Sequence, residues 1–175
     1  MKCYPIPEKY RYQKNQLSGK FLEHRNDRIH CGIDLYAPRK TPVFAVDDGV
    51  IRLVSHFTTP LENSYWNITF QIILDDESTY YYRYAELDNV LVKQNEKVVA
   101  GQRIGSVGQV LNPHKVEKHH PTYIQQLIRE NKVSMLHFEV YDCFPEPSDH
   151  YLGGNWFDID KPKGLCDPTP LLNSI

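Results

Sequence analysis

Short stretches of strand-forming residues, each closed by a turn signal, recur along most of this 175-residue chain. That rhythm constrains the fold more than any other feature. Residues 135–141 alternate cleanly: Leu136, Phe138 and Val140 point one way, and Met135, His137, Glu139 and Tyr141 the other. Residues 66–74 read as a further strand, with Ile68, Phe70 and Ile72 opposite Thr69, Gln71 and Ile73. Asp75-Asp76-Glu77-Ser78 turns it into residues 79–87, dense in Tyr and Arg. Residues 42–54 read as two strands joined at Asp48-Gly49, a two-residue hairpin signal. Gly101, Gly105 and Gly108 punctuate residues 90–108, predicting strands with tight turns. The pattern predicts an all-β fold, mainly an antiparallel sandwich or partly open barrel.

One stretch departs from this rhythm. Ile124, Leu127 and Ile128 have helical spacing, which predicts one short helix over 121–131 within an insertion spanning 109–133. From residue 145 the chain is rich in Pro, Gly and Asp, and a C-terminal wrap made of loops is expected. Residues 1–28 carry seven Lys/Arg against three Asp/Glu and read as a solvated N-terminal arm, rather than an anchor to an anionic surface, that covers part of the domain. The remainder, 29–175, reads as a single domain, long enough to bury a core unaided.

With 20 basic and 22 acidic residues the net charge is −2, which argues against a nucleic-acid footprint. The residues after Met1-Lys2-Cys3-Tyr4-Pro5 form no apolar run, so neither a signal peptide nor a membrane span is expected. The chain as encoded is expected in the cytoplasm, unless it leaves by another route or a leader has been trimmed. Cys3, Cys31, Cys143 and Cys166 form no C-x-x-C pair, and free thiols are the expectation.

Ile29-His30-Cys31-Gly32-Ile33-Asp34 places an imidazole and a carboxylate four residues apart, both good zinc ligands. On a straight strand that separation is roughly 13 Å, so convergence on one ion needs a bend, which Gly32 can supply. His137 is the best third ligand. On spacing alone each remains open to a plainer role: a turn-forming side chain for Asp34, the wet face of a strand for His137. Cys31 is expected to alternate to the opposite face and pack. Glu139, two residues on from His137, could orient that ring from behind or face water. Alternation puts Tyr82 and Tyr84 on the face of Glu86, as groove lining or as cross-strand packing.

The ordered pieces resemble the lysostaphin/LytM-type zinc peptidases. His30-x-Gly32-x-Asp34 is similar to the family's first motif, and residues 41–51 to the strand pair that follows it. Residues 98–108 resemble its glycine-punctuated segment, and Leu136-His137-Phe138-Glu139 the end of its His-Leu-His-Phe-Glu motif. The likeness covers residues 28–142. It implies a compact antiparallel β fold and one zinc ion per chain, held by His30, Asp34 and His137 with the fourth position open, the arrangement of catalytic sites. It implies hydrolysis of short peptides in bacterial cell-wall (peptidoglycan) cross-links.

Two positions depart from that family's pattern. Glu86, in Tyr84-Ala85-Glu86-Leu87, lies where the family usually has a histidine, and so does Met135. A thioether carries no proton at neutral pH, whereas a glutamate near the metal can act as general base. Two expectations follow. The first is a zinc endopeptidase with Glu86 as catalytic base and His119 or His120 as a source of the missing proton donor. The second is a non-catalytic zinc-binding module that binds wall peptides or a protein partner.

Overall fold

The computed structural model describes residues 1–16, 18–61 and 64–175. Among them the strands β1 (His24–Arg25), β2 (Arg28–His30), β3 (Ile33–Tyr36), β4 (Pro42–Phe44), β5 (Gly49–Thr58), β6 (Thr69–Asp75), β7 (Tyr81–Val90), β8 (Lys97–Val98), β9 (Arg103–Gln109), β10 (Ser134–Tyr141), β11 (Tyr151–Leu152), β12 (Asn155–Trp156) and β13 (Leu165–Cys166) make two antiparallel sheets. Nine strands form the larger, in the main order β13-β10-β9-β7-β6-β5-β8, with β3 joined to β10 and β4 to β9. The smaller runs β1-β2-β12-β11. Helices are α1 (Thr122–Arg129) and α2 (Thr169–Ser174). The mostly β, antiparallel architecture and the one inserted helix are as the sequence pattern predicts.

β10 is the axis of the large sheet, pairing with β3, β7, β9 and β13. Leu136, Phe138 and Val140 enter the main core beside Ile33, Leu35, Ile72, Tyr82 and Tyr84. The opposite face of β10 is buried too, with His137 2% and Glu139 0% exposed. A strand covered on both sides needs a cover on each, and the small sheet supplies the second.

Several expectations are corrected. The 42–54 segment is no hairpin: β4 pairs with β9, and β5 with β6 and β8. Gly49 is needed for room rather than for a turn, since a Cβ there would meet the Asp75 carbonyl. Residues 66–68 precede β6, and Ile68 is exposed. The tail is more than loops: it contributes β11, β12, β13 and α2. Its β11–β12 connection is Gly153-Gly154, both at positive φ (54° and 77°), the requirement of a two-residue turn that continues strand twist. The arm covers part of the domain as expected and is less solvated than its charge suggests, since Tyr4 and Ile6 pack into the main core and residues 3–5 bond to the backbone of Val46 and Phe44. No helix among the described residues is long and apolar enough to cross a membrane. All four cysteines are free, and Cys31 packs with Tyr141 and Leu165.

Candidate metal centre

Three buried side chains converge where the two sheets meet. β3 lies antiparallel beside β10 with Asp34 opposite His137, while His30 arrives at the end of β2 in the small sheet. Cys31-Gly32 makes the crossing between sheets. Gly32 serves here by lacking a side chain: a Cβ would lie 2.5 Å from the Phe138 carbonyl and 2.9 Å from His137 Cε1. Its φ is not among the positive ones, so the bend rests on close approach rather than unusual dihedrals.

The donor atoms lie close together. His30 Nε2 is 3.1 Å from Asp34 Oδ1 and 3.1 Å from His137 Nδ1, and His137 Nδ1 is 2.9 Å from Asp34 Oδ1. The remaining ring nitrogens fix the tautomers. His30 Nδ1–H donates to the Lys20 carbonyl at 2.8 Å, and His137 Nε2–H donates to Glu139 Oε1 at 2.7 Å. Both rings therefore turn a lone pair toward the same point as a carboxylate oxygen. Three acceptors facing one another repel unless a cation lies among them. Four-coordinate zinc, with ligands at about 2.0–2.1 Å, would space them roughly 3.3 Å apart, close to what is seen. Burial would lower the pKa of His137, but hydrogen bonds to Asp34 and Glu139 outweigh it and push it up to about 9.

A second ring of groups orients these three. Glu139 is fully buried and also accepts from Arg83 Nη1 (2.8 Å), Tyr141 OH (2.8 Å) and Tyr151 OH (2.6 Å). Burial opposes its charge, and Arg83 with His137 more than offsets that, holding its carboxyl at about 2. Asp34 Oδ2 accepts from Arg25 Nη2 at 3.2 Å. Of the two readings of Glu139, it is the one behind His137 that the geometry shows.

Glu86 breaks the expected alternation. Tyr82 and Tyr84 point into the main core, where the Tyr84 hydroxyl accepts from the Val46 amide and Phe138 packs against both rings. Strict alternation would bury Glu86 among them. Instead its φ is 64°, and the β6–β7 register gains one residue between Phe70↔Leu87 and Ile72↔Tyr84. This bulge turns Glu86 to the other side. There it lines a cleft of about 390 Å³ together with His30, Asp34, His137 and Met135. Glu86 is 6% exposed, and its Oε2 has no hydrogen-bond partner among the described residues. Burial pushes its pKa up to about 8 against the pull of His137.

The insertion supplies the opposite wall through Tyr123, Gln126, Leu127 and Glu130. His119 and His120 are placed elsewhere: His119 pairs with Glu117, and the His120 ring lies 4.7 Å from that of Tyr65. They are therefore not brought to the cleft. Sequence reading missed His24 and Arg25, which do line it; their only local signal is a two-residue strand. It also missed the hairpin 151–156, although Gly153-Gly154 between short strands was a usable signal.

Residues 28–147 match Peptidase family M23. The chain belongs to that family. Within it, the chain is 33% identical over 116 residues to the peptidoglycan DD-endopeptidase ShyA of Vibrio cholerae, a stretch covering 63% of this chain and 25% of ShyA. Over the same length and coverage it is 29% identical to ShyB of that organism. The chain thus spans about a quarter of the length of these curated relatives. In fold it is similar to the catalytic domain of lysostaphin from Staphylococcus simulans, with a TM-score of 0.52 and 21% identity, covering 99% of this chain and 92% of that one. The M23 match ends before the hairpin 151–156.

Proposed function

We propose that this M23 chain is a zinc-dependent endopeptidase that hydrolyses peptide cross-links of peptidoglycan. One observation carries the reading: three buried metal-type acceptors turned on a single point at the floor of a cleft, beside an unpartnered carboxyl. His30 Nε2, Asp34 Oδ1 and His137 Nδ1 would hold the ion. Zinc there would supply acidification of a water and polarisation of the scissile carbonyl. Glu86 Oε2 would accept the proton of the attacking water from the ionised carboxylate, a form that a nearby cation favours against the burial that raises its pKa. Arg25 holds Asp34 in place by its hydrogen bond to Oδ2, and Glu139 holds the orientation of His137. The wall formed by α1 and the β1–β2 turn confines the peptide and limits water in the cleft.

A second reading, a zinc-stabilised module that binds wall peptides or a protein partner without cutting them, is favoured by Met135, a cleft residue that cannot carry a proton. Digestion of purified peptidoglycan by zinc-loaded protein, with mass spectrometry of new peptide ends, separates the two. New ends that vanish in His30→Ala are expected. Bound wall peptide with no new ends, at one zinc per chain, would overturn the enzyme reading. Glu86→Gln is expected to lose most turnover, about 100-fold or more, while keeping its zinc; unchanged turnover would remove Glu86 from the assigned role.

A further inference from the structure

We propose that the hairpin 151–156 braces the metal centre and sets part of its zinc affinity. The inference rests on the reading of His30, Asp34 and His137 as ligands. It concerns a part of the chain beyond the residues that match the M23 family.

The hairpin reaches each of the three from behind by a different contact. On His30 it acts through the backbone: β12 pairs with β2, placing Asn155 opposite His30, and the Cys31 amide donates to the Gly154 carbonyl at 2.8 Å. On Asp34 it acts through Arg25, whose guanidinium donates from Nη2 to Asp34 Oδ2 and from Nη1 to Asn155 Oδ1 at 3.3 Å. On His137 it acts twice. Tyr151 OH donates to the same Glu139 oxygen that receives His137 Nε2–H. The Gly154 backbone also lies so close to the imidazole that a Cβ would stand 2.5 Å from Cε1. Phe57 closes this shell, stacked on His137 at 5.9 Å and edge-on to Tyr151 at 6.4 Å.

The physical effect is preorganisation. A histidine binds metal well when its second N–H is held, because the ring is then already turned and its free nitrogen is more basic. Glu139 can hold that N–H only while its own carboxylate is fixed, and Tyr151 fixes the oxygen concerned. Arg25 serves Asp34 in the same way, with one arm on the carboxylate and one on the hairpin. The three ligands come from two sheets, and this hairpin ties the sheet that carries His30 to the residue behind His137.

The test measures zinc dissociation constants by chelator competition on the full chain. It also records the visible absorption of the cobalt(II)-substituted protein and the melting temperature of the metal-free protein. Tyr151→Phe removes only the hydroxyl, and Gly154→Ala presses on the His137 ring. Tyr151→Phe is expected to bind zinc about 10-fold more weakly, with a displaced cobalt spectrum. Gly154→Ala, where it folds, is expected to distort the spectrum further. A hairpin of merely structural importance would lower the melting temperature and leave both metal readouts at wild-type values, which would overturn the proposal. His30→Ala is carried alongside: if it bound zinc as tightly as wild type, the ligand reading itself would fall and the brace with it. A zinc site lost in His30→Ala but untouched in Tyr151→Phe would reject the brace alone.

Discussion

Glu86 combines three costs in one residue: a buried carboxyl, an unpartnered oxygen and a left-handed backbone at φ 64°. Such a residue should weaken the fold it serves. Its pKa rises from an ordinary 4.5 to about 8 on folding. Between those values the folded chain keeps a proton that the unfolded chain has released, so stability falls as pH rises through that window and levels off above it. Glu86→Gln, having no such proton, should melt on the order of 10 °C higher than wild type at pH 8 in the metal-free state. The gain should disappear near pH 4, and a gain independent of pH would contradict the assignment. Arg83 predicts the opposite. Its guanidinium is 6% exposed and pairs with the fully buried Glu139. Arg83→Met strands that carboxylate and should cost about 3–5 kcal/mol in urea unfolding. His30, Asp34 and His137 were legible as candidates by residue type, and the likeness of their motifs to the family's joined them into one set where spacing alone left each open to a plainer role. The placing of Glu86 was not legible, because one added residue in β7 turns it to the side opposite Tyr82 and Tyr84, and nothing local in Tyr84-Ala85-Glu86-Leu87 marks it.

Among elements, the strand pattern was readable wherever one face was apolar, and β10 is the clear case. Which strand pairs with which was less so. Asp48-Gly49 carries a hairpin signature, yet Asp48 is engaged elsewhere, its carboxylate accepting from the Ala100 amide, and Gly49 yields space to Asp75. Local turn chemistry loses there to long-range contact. The helix was visible by its spacing, and its apolar side is divided in use: Ile124 is buried, while Leu127 and Tyr123 line the cleft. In the proposed reaction α1 would hold the substrate from this side of the cleft. Tyr123→Ala should raise KM for a wall peptide several-fold, roughly 3- to 10-fold, with kcat and zinc content little changed. A fall in kcat at constant KM would instead place α1 in the chemical step.

For the molecule as a whole, an ion held by His30, Asp34 and His137 would tie one sheet to the other. Metal binding favours only the state in which those ligands converge. At a free zinc concentration a hundredfold above Kd the stabilisation is about 2.7 kcal/mol, or ~5–10 °C in melting temperature for a chain of this size. Chelation should remove that increment and added zinc restore it, and equal melting curves with and without chelator would show that no such coupling exists. The separation of the ligands along the chain carries a consequence in time. His30 and His137 are 107 positions apart, and the bracing hairpin follows later still. At roughly 5–20 residues per second of synthesis, the first histidine waits about 6–25 s for the last of its supports to emerge from the ribosome. A complete site therefore exists only after everything from residue 30 to residue 156 has been made, and any ion it takes would be captured late.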